Sequence, residues 1–208
     1  MKFFIDFSIL LHSRDYRFLY IGQFVSFIGT MITSVALPYQ VYHETQSILM
    51  VGLLSFVQLV PLILTALLGG ALADHYNRQT LMIIAESSLA IGCLSFALNA
   101  ALSTPHIWII FLTSAYMSVF GGLYWPAVGG ITQQIVGKNN FSSVGALSNF
   151  MYNFCMIVGP TIGGLVIANF GLVTTYLLDF ISFIISLIAL SRLKNIGRPV
   201  NNSSKILA

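Results

Sequence analysis

Charge is what this sequence has least of. Of its 208 residues only 7% are Asp, Glu, Lys or Arg, while 57% are hydrophobic. A soluble domain carries about 25% charged residues, so this chain cannot dress a water-facing surface. Cysteine is almost missing too: Cys93 and Cys155 both lie inside apolar runs. They read as small hydrophobes, which excludes a disulfide framework and a cysteine metal site. The histidines His12, His43, His75 and His106 are scattered without ligand spacing. No nucleophile, metal or acid-dyad constellation stands out, so neither an enzyme nor a cofactor is expected. A net charge of +3 does not imply a nucleic-acid partner.

Long apolar runs are what the sequence has instead. A spanning helix needs about 20 mainly apolar residues. Six runs reach that length, at 16–40, 48–73, 79–101, 106–132, 143–168 and 172–193. Polar or turn-prone segments separate them: HETQS, DHYNRQ, NAALSTP, GKNN and NFG. The expected fold class is an all-α membrane protein, a six-transmembrane-helix bundle with the lipid bilayer as its first partner. Residues 1–15 read as a cytoplasmic N-terminal segment, 16–194 as the bundle, and 195–208 as a polar, disordered cytoplasmic tail. Arg14, Asp15 and Arg17 precede a run too long for a signal peptide, and no A-x-A site follows, so a cleaved signal is not expected.

The few charges set an orientation. Lys2, Arg14 and Arg17 precede the first run. Arg78 follows the second, Lys138 the fourth, and Arg192, Lys194, Arg198 and Lys205 close the last. All fall on one side of a six-span topology. Cytoplasmic loops are enriched in Lys and Arg, so both termini are expected in the cytoplasm. Trp108 and Trp125 lie 17 residues apart in the fourth run, about 26 Å along a helix. That spacing suits an aromatic belt at the two interfaces.

An internal likeness divides the chain. VGLLS at 51–55 matches VGALS at 144–148, and LLGGALAD at 67–74 matches TIGGLVIAN at 161–169. The offset is 93 residues at the start and 94 at the glycine pair. Residues 16–101 and 106–194 thus read as two three-helix repeats. An odd number of helices inverts the second copy in the membrane, a transporter device that places the substrate path between repeats.

Polar residues inside the runs are the candidates for function. Gly22, Ser26, Gly29 and Thr33 form a small-residue stripe on one helix face, which permits close helix packing. Gln23, Thr30 and Ser34 lie beside it. The fifth run carries Asn149 and Asn153 one turn apart, then Gly159, Pro160, Gly163 and Gly164. The proline removes a backbone hydrogen bond and the glycines allow close approach. Glu86 and Asp179 lie about 10 Å inside the third and sixth runs. A charge at mid-membrane costs at least about 2.5–3.5 kcal/mol, and such residues mark ion or substrate paths. Both acids are candidate proton-coupling residues; the competing placement is interfacial.

With these residues placed, the chain resembles the N-terminal half of a major facilitator superfamily transporter. GGALADHYNR resembles the signature between that superfamily's second and third helices, with Gly70, Asp74 and Arg78 in register. VGPTIGG at 158–164 resembles the fifth-helix motif of its proton-driven exporters, through Gly159, Pro160, Gly163 and Gly164. YWPAVGGITQQIVGKNN and VALPYQVYHETQSILMVGL look most like the enterobactin-exporter branch and nearby multidrug exporters. The resemblance implies half of a major facilitator fold, multi-pass in a bacterial inner membrane, with Asp74 and Arg78 in a cytoplasmic gate. Departures are visible. Asn77 stands where glycine is common, Gln79 where a second basic residue is common, and Thr30 where many members carry an acid. Residues 107–132 lack the arginine of drug-exporting relatives.

The superfamily has twelve helices against six runs here. The expectation is therefore a fragment, a split or truncated product, or a half that pairs with a C-terminal half or a second copy. The implied function is proton-coupled export of a siderophore or another amphipathic small molecule. Gln23, Thr30, Tyr116, Tyr124, Trp125, Asn149 and Asn153 are the candidate substrate-lining residues. The competing reading is a non-transporting remnant, or a membrane interaction subunit that pairs with another transporter half.

Overall fold

The computed structural model describes residues 10, 13–137 and 141–193, with the backbone alone for 71–75 and 141. The expected segments 1–15 and 195–208 thus fall almost wholly outside the described residues. Five helices account for nearly everything else: α1 Arg14–Thr45, α2 Ile48–His75, α3 Arg78–Ala100, α4 Ile107–Val136 and α5 Phe141–Ser191. All five are long and apolar enough to cross a membrane.

Their ends follow local chemistry. Ser13 caps α1, its hydroxyl accepting the Tyr16 N–H at 3.3 Å. Gln46 ends α1 in the left-handed region at φ 52. Asn77 caps α3 by accepting the Gln79 N–H at 2.9 Å, satisfying one of the orphan donors of a helix start. Asn99 reaches from the last turn of α3 to the His106 N–H at 2.9 Å, which fixes the entry into α4.

The apolar runs expected at 143–168 and 172–193 belong to the single 51-residue element α5, broken at Gly171 (φ 79, ψ 176). That conformation is open to glycine and strained for a side chain. Contacts with α1 show what the break does. Along the first limb, 141–170, Tyr20 meets Leu147, Phe24 meets Phe154 and Ile32 meets Gly163, so the limb runs parallel to α1. Along the second limb, 172–191, Gln40 meets Tyr176, Thr33 meets Asp179 and Gly22 meets Ser186, so it runs antiparallel. The chain reverses at Gly171.

The core has two ends. Ala36, Leu37, Val41, Leu54, Phe96, Ile110, Phe111 and Tyr176 fill one; Leu19, Met82, Ala127, Val128, Ile131 and Leu190 fill the other. Outside them the helices present bare apolar surface: Leu67, Leu112, Trp108 and Ile157 are each more than 70% exposed. A water-facing protein does not leave so much contiguous apolar area open, whereas hydrocarbon solvates it. Trp108 sits on this outer surface at the start of α4, as an interfacial aromatic would.

The small stripe of α1 faces the second limb. Gly22 lies against Ser186 and Ala189, Gly29 against Ser182 and Asp179, and Thr33 bonds Asp179. Gly159 and Gly163 serve the other side, lying against Met31 and the Ile32 backbone. α1 is thereby gripped between the two limbs of α5. In the α2–α4 pair, Gly69 lies against the Gly122 carbonyl, at 3.1 Å from where its Cβ would stand.

Candidate functional site

One face of α1 is left over from this packing, and it lines a cavity of about 690 Å³. Gln23, Phe27, Thr30 and Ser34 form the α1 wall, Ser55 and Gln58 the α2 wall, and Ser114, Ser118, Tyr124 and Trp125 the α4 wall. Met151 and Tyr152 come from the first limb and Asp179 from the second. An aromatic group closes one side. Phe27 stacks on Tyr152 at 5.3 Å between ring centroids and meets the edge of Trp125 at 5.9 Å, while Tyr124 meets Trp125 edge-on at 6.1 Å. Two polar atoms in the wall, Gln23 Nε2 and Ser114 Oγ, are buried without a protein partner. A volume of several hundred Å³ with aromatic faces and a few amides and hydroxyls matches small-molecule sites.

The cavity brings together four of the seven residues named from the sequence as candidate lining. Gln23, Thr30, Tyr124 and Trp125 line the cavity. Trp125 is therefore a wall residue, whereas its spacing from Trp108 also fitted a belt. Asn149, Asn153 and Tyr116 are outside the lining. Asn149 and Asn153 are exposed on the first limb, the Asn153 amide donating to the Asn149 carbonyl at 2.8 Å. The neighbouring positions Met151 and Tyr152 take the cavity instead. Tyr116 packs on Phe120 at 4.9 Å. A helix advances 100° per residue, and which face meets the cavity depends on neighbours that the sequence does not name. Gln58, Ser114 and Tyr152 were missed for the same reason; their only signal was polarity inside an apolar run.

Glu86 and Asp179 are both buried, each 1% exposed; neither is interfacial in the sense of facing solvent. Glu86 Oε1 accepts from the Tyr124 hydroxyl at 2.9 Å and the Ser186 hydroxyl at 2.7 Å, bridging α4 and the second limb to α3. Its Oε2 has no hydrogen-bond partner among the described residues. Asp179 Oδ2 accepts from the Thr33 hydroxyl at 2.5 Å and the Cys93 thiol at 3.2 Å, and its Oδ1 accepts from Ser182 at 3.2 Å. The two sites correspond. Glu86 and Asp179 are 93 residues apart, and so are their partners Cys93 and Ser186. Each acid takes one hydrogen bond across the α3–second-limb contact and one from a hydroxyl on α1 or α4. Gly69 and Gly163, 94 apart, correspond likewise, each lying against a backbone carbonyl of a parallel neighbour.

At the gate motif, Arg78 opens α3 and its guanidinium lies over Gly130 of α4, where no Cβ stands in the way. The Asp74 side chain lies outside the described residues. Gly70 touches nothing within 4 Å of its Cβ position, and Gly164 likewise. In each glycine pair it is the first member, Gly69 or Gly163, that packs.

Against known proteins, residues 8–206 match the transmembrane secretion effector family of the major facilitator superfamily. Among curated proteins the chain is similar to the enterobactin exporters EntS of Shigella flexneri and of Escherichia coli O1:K1. It is 28% identical to each over 195 residues, covering 94% of this chain and 48% and 47% of theirs. The EntS of Shigella boydii serotype 18 matches at the same identity. The chain thus spans about half the length of the curated relatives it matches.

Proposed function

Because the chain belongs to the transmembrane secretion effector family, we propose that it is one half of a secondary active exporter. Its six spans are α1 to α4 and the two limbs of α5, arranged as two inverted three-helix repeats. The inversion is supported by the corresponding pairs Glu86–Asp179, Cys93–Ser186 and Gly69–Gly163. An inverted copy puts the first acid near one membrane face and the second near the other. Both termini lie in the cytoplasm: Arg14, Arg17, Arg78 and Arg192 fall at the same end of the bundle, the end that holds Met82 and Leu190.

The cargo is a siderophore or another amphipathic small molecule, carried outward in exchange for protons. The observation that carries this reading is the cavity of about 690 Å³ with its aromatic side. A planar catechol or drug-like ring suits the Phe27, Tyr152 and Trp125 faces. Gln23, Thr30, Tyr124 and Trp125 bind; Glu86 and Asp179 exchange protons; Gly70, Asp74 and Arg78 act at the cytoplasmic gate. The relatives' twofold length supports a C-terminal half, or a second copy, as the partner that completes the cavity.

Deletion of the encoding gene in its native host tests the proposal. The expected result is less siderophore in the medium or a lower tolerance of amphipathic drugs, restored by the complete transporter and not by a form carrying Gln23→Ala with Tyr152→Ala. Unchanged secretion and tolerance after deletion would favour the reading as a non-transporting subunit.

A further inference from the structure

The second limb of α5 carries a polar row that touches the cavity at Asp179. Asp179, Ser182 and Ser186 are spaced by three and four residues, on one helix face, and all three are buried. α1 seals the row: a Cβ at Gly22 would press on Ser186 at 3.1 Å, and one at Gly29 would collide with Ser182 and Asp179. At one end the Ser182 hydroxyl donates to the Asp179 backbone carbonyl at 2.7 Å and lies 3.2 Å from the Asp179 carboxyl Oδ1. At the other, Ser186 donates to Glu86 at 2.7 Å. The two carboxyls are thus the termini of one buried hydroxyl row, about 10 Å long over seven helical residues.

The ends differ in access. Asp179 lines the cavity and Glu86 does not. Both oxygens of Asp179 are occupied by donors, whereas Glu86 Oε2 is buried and unpartnered. The titratable groups facing them are Tyr124 from α4 at Glu86 and Cys93 from α3 at Asp179; α1 brings the Thr33 hydroxyl and the second limb its serines. Every hydrogen bond given for either carboxyl comes from a hydroxyl or thiol, groups that can both accept and donate a proton.

We propose that Glu86 and Asp179 exchange one proton along Ser182 and Ser186, so that the proton route meets the substrate cavity directly at Asp179 and, at its other end, through the Tyr124 hydroxyl. In the step, an Asp179 carboxylic acid and a Glu86 carboxylate become an Asp179 carboxylate and a Glu86 carboxylic acid. One O–H bond breaks at Asp179 and one forms at Glu86, and the pair's single negative charge is conserved. The hydroxyls relay the proton by reorienting. The turn between Ser182 and Ser186, about 5–6 Å between β-carbons, is closed by rotation of Ser182 or by one water molecule. The inference deepens the reading of the chain as a proton-coupled exporter half, and it assigns the two serines to the relay.

Infrared spectroscopy of the full chain in liposomes tests it without any transport. The carboxyl C=O bands are assigned with E86Q and D179N. D179N is expected to move the Glu86 titration midpoint by about one pH unit or more, as for coupled sites. After a pH jump, S182A/S186A is expected to slow proton arrival at Glu86 by about tenfold or more, a barrier increase of about 1.4 kcal/mol, with Asp179 unchanged. The single variants S182A and S186A serve the same comparison if the double variant loses helix content. An unmoved Glu86 midpoint in D179N overturns the pairing. Equal rates at Glu86 with and without the serines, or equal slowing at both acids, overturns the relay. Loss of the exporter reading with the infrared coupling intact would leave the proton pair standing, so the two fail separately.

Discussion

The two limbs of α5 hold the same helix, α1, by different physics. The first limb meets it mainly through absences, beside one Tyr20 hydroxyl bond to the Leu147 carbonyl at 3.2 Å: Gly159 and Gly163 remove side chains so that Ile32 and Met31 can come close. The second meets it through hydrogen bonds, with Tyr176 donating to Gln40 Oε1 at 2.7 Å and Thr33 donating to Asp179 at 2.5 Å. In hydrocarbon both devices are open to a helix pair, since apolar burial alone gives little preference for protein over lipid. The difference teaches where movement is affordable. Backbone-to-glycine contacts are non-directional and can slide, while buried hydrogen bonds fix a register. The cavity, accordingly, draws its flat aromatic wall from the first limb's side and its single acid from the second.

Breaking the hydrogen-bonded side should have the largest effect. Gly29→Val drives a branched side chain into Ser182 and Asp179. The expected loss is about 3 kcal/mol, the upper part of the overpacking range, read as a lowered thermal midpoint in detergent. Removing the acceptor rather than crowding it comes next. Asp179→Ala strands the Thr33 and Cys93 donors in a buried site, at a cost of about 2 kcal/mol. Asp179→Asn keeps one acceptor oxygen and should lose less. If the alanine and asparagine variants melt alike, the carboxyl is not what holds the second limb.

The sliding side should respond more weakly and with a sharp positional contrast. At Gly163 a Cβ would stand 3.1 Å from the Ile32 carbonyl and 3.2 Å from its Cα, and backbone cannot swing aside. Gly163→Ala is expected to cost about 1–2 kcal/mol. Gly164→Ala, one residue on, has open space and should stay within about 0.5 kcal/mol of wild type. Equal effects would mean that the GPTIGG segment works through backbone flexibility and not through contact.

The sequence carried this contrast only in part. The stripe Gly22, Ser26, Gly29, Thr33 was legible because its spacing alone defines a helix face. The apolar runs were legible because a membrane span needs length and little else. Glu86 and Asp179 stood out as acids in apolar surroundings, but their pairing with Ser186 and Cys93 joins residues 100 and 86 apart and needed the folded chain. Their burial between helices was not legible for the same reason: a run boundary uncertain by a turn cannot tell an exposed acid from a buried one. Helix phase was the weakest part. Asn149 and Asn153 are polar, and polarity drew them into the wall; the first limb turns Tyr152 there instead. The break between limbs was visible as NFG, yet only the positive φ of Gly171 shows that one residue performs the reversal.

The smallest predicted effect lies within the first limb itself, between adjacent residues. Tyr152 stacks on Phe27 in the cavity wall, while Asn153 bonds its own helix on the exposed side. With Trp108→Phe in place, Trp125 is the single remaining tryptophan of the two in the chain. It stands in the wall within reach of any occupant, so its fluorescence reports binding of a catechol-bearing probe. Tyr152→Ala should weaken that binding by about fivefold, the roughly 1 kcal/mol carried by an aromatic contact. Asn153→Ala should leave it unchanged, because its amide is already satisfied by the Asn149 carbonyl and faces away from the wall. A probe that loses affinity in both variants would place its site on the outer surface of the first limb, and a probe indifferent to both would remove the first limb from the site. Only the split between the neighbours is consistent with a ligand held where the limb that slides meets the limb that locks.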